Sequence, residues 1–238
     1  MDTLKFNNNG VKLIAHRGLS GIEAENTVSA FVAAANRSYW GIETDIHLTA
    51  DGIYAVIHDD STKRTCEKSM KVEKSTYADL SKLHVYDRFG VTRIDLKIPR
   101  LEEYFYICRI YGKHPVLELK NPFPKKNVKE IYGIAKDFDL LSDIIFISFS
   151  IDNLLCLREI DEDIKIQYLV KKFKPEYIPI LKKHNFGIDI SVKALTAEIA
   201  AELKQNGIEI NCWTCDLPED AEKLADFGAD SITTNILE

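Results

Sequence analysis

Short apolar runs rich in β-branched and aromatic residues recur along the chain at 12–16, 41–48, 115–119, 144–149, 165–170, 187–191, 208–214 and 230–234. Their length and composition suit strands better than helices. Between most of them apolar positions follow helical spacing, clearest over Thr27–Arg37, Leu101–Tyr111, Asn127–Phe138, Ile151–Glu159, Pro175–His184, Thr196–Gln205 and Pro218–Phe227. Strand and helix alternating through eight candidate strands predict an α/β fold, a (β/α)8 barrel. Gly112, Gly187, Gly207 and Gly228 stand beside periodic segments and read as helix stops in left-handed caps. Ile236-Leu237-Glu238 directly follows the eighth strand, so the last outer helix is expected to be missing or reduced to a turn, with something else covering that flank.

The interval between the second and third barrel strands breaks the pattern. Asp51-Gly52 is a turn signal, 53–57 reads as a return strand, and 60–98 reads as a small insertion over the barrel mouth. With no internal repeat and no linker, the expectation is one domain over 1–238 with 60–98 inserted in it. A long loop over a rigid scaffold commonly governs access, which makes the insertion a candidate for setting substrate choice.

A chain of 238 residues with 45% apolar content can bury one large core. The formal charge of −6 argues against a general nucleic-acid or anionic-membrane surface and leaves room for a small basic pocket. Residues 1–10 lack the apolar core of a signal peptide, and no segment has eighteen uninterrupted apolar residues. A cytoplasmic protein with no stable membrane insertion is therefore expected. Five scattered cysteines fit reduced thiols better than a disulfide framework.

The candidate chemistry is concentrated in 14–59, where His16-Arg17-Gly18, Glu25-Asn26-Thr27, Glu43 and Asp45, Asp51-Gly52 and His58-Asp59 follow in order. Glu43 and Asp45, at i and i+2 of a strand, face the same way. His16 and His58 can exchange protons near neutral pH, and Arg17 can hold a phosphate oxygen. This ordered set resembles the glycerophosphodiester phosphodiesterase family, which opens with His-Arg-Gly, continues through Glu-Asn-Thr and Glu-x-Asp, and closes with His-Asp. The likeness continues through Asp60–Thr65, Ile98–Glu103, Glu118-Leu119-Lys120, Ser148-Phe149, Trp213-Thr214 and Gly228–Thr233.

The resemblance implies metal-assisted hydrolysis of a glycerophosphodiester, a small-molecule substrate, to glycerol 3-phosphate and an alcohol. Glu43, Asp45 and Glu118 offer oxygen ligands, which suit a hard divalent cation, Mg²⁺ or Ca²⁺, and the resemblance implies the same set. Arg17 and Lys120 would hold phosphate oxygens. His16 and His58 would act as general acid and base, with the assignment of the two roles open. Trp213 matches the family's tryptophan on this strand and would form an apolar wall for glycerol or the leaving alcohol. A lysophospholipase D-like phosphodiesterase and a catalytically silent phosphate-binding barrel are the rival readings.

His47 shares a face with Glu43 and Asp45, yet it sits near the hairpin end and reads as a polar structural residue. Cys212-Trp213-Thr214-Cys215 has redox spacing, but i and i+3 on a strand face opposite ways, so packing is expected. Lys171-Lys172-Phe173-Lys174 reads as a solvated charge run, and Asn26 as helix-start and loop architecture, with indirect support of the site residues by Glu25 and Asn26 left open. Ala24 and Asn235 depart from the family pattern, where proline and aspartate are usual.

Overall fold

The computed structural model describes residues 2–238. Eight parallel strands, β1 (Lys12–Ala15), β2 (Gly41–Leu48), β4 (His114–Leu119), β5 (Ile145–Ser148), β6 (Lys165–Val170), β7 (Gly187–Ser191), β8 (Ile210–Trp213) and β9 (Ser231–Thr234), form one sheet. It runs β1-β9-β8-β7-β6-β5-β4-β2 and closes through a second pairing of β1 with β2, which makes it a barrel. The short strand β3 (Tyr54–Val56) returns antiparallel on the end of β2, with His47 opposite Ala55.

The connecting helices are α1 (Val28–Ala35), α3 (Leu101–Tyr111), α4 (Lys125–Asp137), α5 (Ile151–Ile160), α6 (Tyr177–His184), α7 (Ala197–Gln205) and α8 (Pro218–Asp226), with a one-turn α2 (Tyr77–Leu80) inside the 60–98 segment. Element ends differ from the sequence reading by one or two residues. The stop assigned to Gly187 is wrong: α6 ends in a left-handed Asn185 with φ 51°, and Gly187 instead begins β7. A Cβ on Gly187 would lie 3.0 Å from Gln167 Cγ and 3.1 Å from the Glu209 carbonyl, so this glycine serves close packing rather than a cap. Gly112 caps α3 at φ 62°, as the spacing suggests.

Strand alternation divides the residues between two cores. On β2, Ile42 and Ile46 face the helices and join the main core, which leaves Glu43 and Asp45 to the barrel interior. Ile14, Val116, Ile145, Ile147 and Leu169 form the interior cluster. At its N-terminal end Trp40 stacks on His114 at 3.9 Å, and Lys12 Nζ lies 4.7 Å from the same indole. The interior is therefore plugged below and polar above, at the strand ends where barrels carry their chemistry.

No eighth outer helix follows β9 among the described residues. Leu4 N–H donates to the Ile236 carbonyl at 3.0 Å and Glu238 N–H to the Leu4 carbonyl at 2.8 Å, so two chain segments lie side by side there. Leu237 is fully buried in the main core, with Phe6 and Ile236 packed against it. Burying one such leucine stabilises by about 2 kcal/mol.

The 60–98 segment has a small apolar core of its own. Cys66, Val72, Leu80, Leu83, Val85, Leu96 and Ile98 pack with Ala24, Ala55 and Ile57 of the barrel. No helix among the described residues is long and apolar enough to cross a membrane.

Candidate active site

A cavity opens at the C-terminal end of the barrel, lined by His16, Arg17, Glu43, His58, Glu118 and Lys120 on one side and Ile147, Phe149, Leu169, Asp189, Trp213, Thr214 and Thr233 on the other. It encloses about 440 Å³ including its open mouth. No lining residue comes from 60–98, so the expected role of that segment as a cover contacting substrate has no support in the lining.

Glu43, Asp45 and Glu118 each bring a carboxylate oxygen within 4.8 Å of the others, and all three are buried. Neighbours fix them tightly. Arg17 N–H donates to Glu43 Oε2 at 2.8 Å, Asn26 Nδ2 donates to Asp45 Oδ2 at 2.8 Å, and Asn26 Oδ1 accepts from Thr44 Oγ1 at 2.7 Å. Thr27 is the cap of α1, and Asn26 takes the supporting place left open for it by orienting a carboxylate of the cluster. Arg17 and Asn26 both hold a left-handed backbone, φ 54°, beside Gly18 at φ 74°, whose missing side chain leaves room for Ala30 of α1. Such backbone is costly for residues other than glycine and clusters at functional sites.

The electrostatics of the three carboxyls differ. Burial and the Asp45 charge push Glu43 well up and Glu118 up to about 8. Burial would raise Asp45 too, but Lys120, Arg17 and His58 hold it well below the ordinary carboxylate range. Lys120 Nζ lies 2.8 Å from Glu118 Oε1 and 3.4 Å from Asp45 Oδ1. These two oxygens are thus ion-paired to one ammonium in the cation-free site. Three buried carboxylates that offer only oxygen donors fit a hard divalent cation.

The two imidazoles are backed differently. His16 Nδ1 meets the amide oxygen Asn235 Oδ1 at 2.8 Å, and Asn235 Nδ2 donates onward to Asp216 Oδ2 at 2.6 Å. An amide oxygen only accepts, so His16 Nδ1 carries the proton and Nε2 is the free nitrogen. Burial and the neighbouring Arg17 charge lower His16 to about 4. His58 Nδ1 instead meets a carboxylate, Asp59 Oδ1, at 2.7 Å. Burial lowers His58 as well, opposed by the Asp45 charge and the Asp59 bond.

Arg64 joins these groups. Its Nη1 and Nη2 donate to Glu25 at 2.6 and 2.9 Å, and its Nε donates to Asp59 Oδ2 at 2.7 Å. Glu25 Oε1 in turn accepts from Arg17 Nη1 at 2.8 Å. One guanidinium from the start of the inserted segment therefore fixes both the carboxylate behind His58 and the carboxylate that holds Arg17.

The profile of the glycerophosphoryl diester phosphodiesterase family matches residues 16–238. The chain belongs to that family. It is 29% identical to a glycerophosphodiester phosphodiesterase of Caldanaerobacter subterraneus over 94% of this chain and 93% of the relative. It is 27% identical to one of Bacillus subtilis over 93% of this chain and 82% of that protein. Among solved structures, the Thermotoga maritima glycerophosphodiester phosphodiesterase superposes with TM-score 0.75 at 26% identity, covering 94% of both chains. An Oleispira antarctica phosphodiesterase, determined in complex with the product sn-glycerol-3-phosphate, superposes with TM-score 0.85 at 24% identity over 94% of this chain and 92% of its own.

The departure at Asn235 bears directly on His16, whose Nδ1 meets that amide oxygen. Ala24 packs into the core of the inserted segment. His47 is fully buried and stays out of the acidic cluster: Nε2 lies 3.1 Å from the His58 carbonyl and Nδ1 3.3 Å from Glu73 Oε1. Cys212 and Cys215 are free and buried in the main core, and burial pushes Cys215 up to about 11, far from a thiolate. Trp213 lies edge-on to Phe149 with ring centres 5.8 Å apart, and Lys171 Nζ sits 5.6 Å from the Phe149 ring.

Sequence reasoning missed Arg64, Asp189 and Thr233. The signal for Arg64 was available, since it lies within Asp60–Thr65, matched to the family but read as part of an insertion without chemistry. Arg64→Ala is expected to lower kcat by about 10- to 100-fold, the usual cost of losing a residue that orients catalytic groups. The Arg64 hydrogen bond is the main reason Asp59 lies near about 2, so the acidic limb of the pH–rate profile should also move upward. Arg64→Lys should recover only part, because an ammonium cannot bridge two carboxylates in a planar fork. An unchanged pH profile with only a lowered Tm would reduce Arg64 to a stabilising ion pair.

Proposed function

We propose that the chain hydrolyses glycerophosphodiesters to glycerol 3-phosphate and an alcohol, using one divalent cation, Mg²⁺ or Ca²⁺, held by Glu43, Asp45 and Glu118. The observation that carries this reading is a buried all-oxygen cluster beside two imidazoles on one side of a single cavity, in a chain of this family. When bound, the cation would offset charge on the phosphodiester and polarise phosphorus. Arg17 and Lys120 would hold the remaining phosphate oxygens once substrate competes with the carboxylates they now contact.

The different backing of the histidines supports distinct roles. His16, backed by an amide and held neutral, is suited to take a proton at Nε2 from the attacking hydroxyl, whether water or the glycerol 2-hydroxyl. His58, backed by a carboxylate that favours its protonated form, is suited to protonate the leaving alkoxide. Residues 1–238 act as one catalytic domain, with 60–98 a structural insertion that braces the site through Arg64. Five free thiols and the formal charge of −6 support a cytoplasmic enzyme acting on small molecules rather than nucleic acid.

The test is release of glycerol 3-phosphate from glycerophosphocholine, glycerophosphoethanolamine and glycerophosphoglycerol, with and without EDTA, beside lysophosphatidylcholine as a lipid comparison. Chelator-sensitive turnover of the three water-soluble diesters is expected. No turnover of any of them would leave a silent binding barrel, and preference for the lysophospholipid would move the activity to the lysophospholipase D class.

A further inference from the structure

Asp189 is the only fully buried carboxyl among the described residues that lies outside the metal-binding cluster. It sits on β7, across the barrel from β2, so the cavity has acidic groups on two facing walls. Its Oδ1 accepts from Asn211 Nδ2 at 2.8 Å, and the same amide nitrogen donates to Thr233 Oγ1 at 3.0 Å. The Asp189 backbone carbonyl accepts from Trp213 Nε1 at 3.1 Å, which ties the indole to this strand. Around them the lining is apolar, with Ile147, Phe149 and Leu169.

A carboxyl in such a place is poor packing. With one hydrogen-bond donor and little water it costs stability that an apolar residue of similar size would not. No Lys or Arg is paired with it within 4.0 Å, in contrast to Asp45. Burial pushes it up to about 8, so near neutral pH it is mostly protonated and can both donate and accept one hydrogen bond. That capacity matches an alcohol.

We propose that Asp189, with the Thr233 hydroxyl beside it, recognises a hydroxyl of the substrate's glycerol arm, the one farthest from phosphate, while Trp213 covers the carbon face of that arm. This rests on the glycerophosphodiesterase reading. The cavity is then divided, with phosphate at the cation, Arg17 and Lys120, and glycerol against the β7–β9 wall. The leaving alcohol is left toward the mouth, which makes the site selective for glycerol and tolerant of the head group.

The test compares glycerophosphocholine with its analogue lacking only the terminal glycerol hydroxyl, 2-hydroxypropyl phosphocholine, which keeps the hydroxyl adjacent to the phosphate-bearing carbon. Wild type should prefer the full substrate by roughly 10- to 100-fold in kcat/KM, the range expected when a buried polar group loses its partner. In Asp189→Ala the preference should fall to within about threefold, because the full substrate loses what the analogue never had. If that variant does not fold, Asp189→Asn, nearly the same size, carries the test, with a preference at least about threefold below wild type. Wild-type preference in a folded variant overturns the inference alone. So does an altered ranking of choline against glycerol leaving groups with the hydroxyl preference intact, which would assign Asp189 to the leaving alcohol. Absence of wild-type turnover on both substrates removes the phosphodiesterase reading and this inference with it.

Discussion

Replacing Glu118 with Gln, or Glu43 with Gln, is expected to abolish measurable binding of Mg²⁺ or Ca²⁺ in a calorimetric titration and to lower kcat by about 10²–10³-fold or more. Losing several kcal/mol of transition-state charge stabilisation corresponds to a factor of that size. The same substitution should make the metal-free protein more stable at alkaline pH. Glu118 stands at about 8 in the folded chain against 4.5 for the ordinary carboxyl, because burial and the Asp45 charge disfavour its ionised form. A carboxyl raised on folding contributes stability that is fully present below the unfolded value and lost as pH rises through the folded one. Metal-free wild type should therefore lose Tm relative to Glu118→Gln between pH 5 and about 8, and added cation should restore it in wild type alone. Unchanged cation affinity in both variants would remove these carboxylates from the ligand set.

His16→Ala and His58→Ala are each expected to lower turnover by about 10²–10⁴-fold, the typical share of a general acid or base. The roles separate with a p-nitrophenyl phosphodiester of glycerol, whose leaving group needs no proton. That substrate should rescue most of the loss in His58→Ala and little of the loss in His16→Ala. Rescue of His16→Ala instead would exchange the two roles. His47→Ala, which loses only its contacts to the His58 carbonyl, Glu73 and Asn121, should cost about tenfold or less. A loss as large as that of the other two would make His47 a participant in proton transfer.

How far the chain could be read in advance follows from where its information is local. Strand alternation separates Ile42 and Ile46 from Glu43 and Asp45 in the sequence itself, and the barrel turns that alternation into an inside and an outside. The motif order likewise places His16 and Glu118 on strand ends before any coordinates are known. What escaped depends on contacts between distant segments. Arg64 gains its meaning only when Glu25 and Asp59 are brought to its two edges. Asp189 lies in an unremarkable apolar strand, Ile188-Asp189-Ile190, and becomes notable only because that strand faces β2 across the barrel. The left-handed end of α6 fell to Asn185 rather than Gly187 because tertiary packing against Gln167 and Glu209 claimed the glycine. Periodicity carries no trace of such neighbours.

The guanidinium of Arg64 also decides how this protein could be recombined with its relatives. A segment with its own small core invites transplantation, and cutting at 60 and 98 would look natural from the motif order. Arg64 lies inside those limits, whereas both of its acceptors, Glu25 and Asp59, lie outside. A chimera joined at 60 would thus draw the two halves of one ion-paired unit from different parents, and the acidic side chains behind Arg17 and His58 would depend on what the donor segment places at 64. Moving the first junction beyond Cys66 keeps the triad in a single parent, and grafts made there should inherit the host's proton chemistry intact.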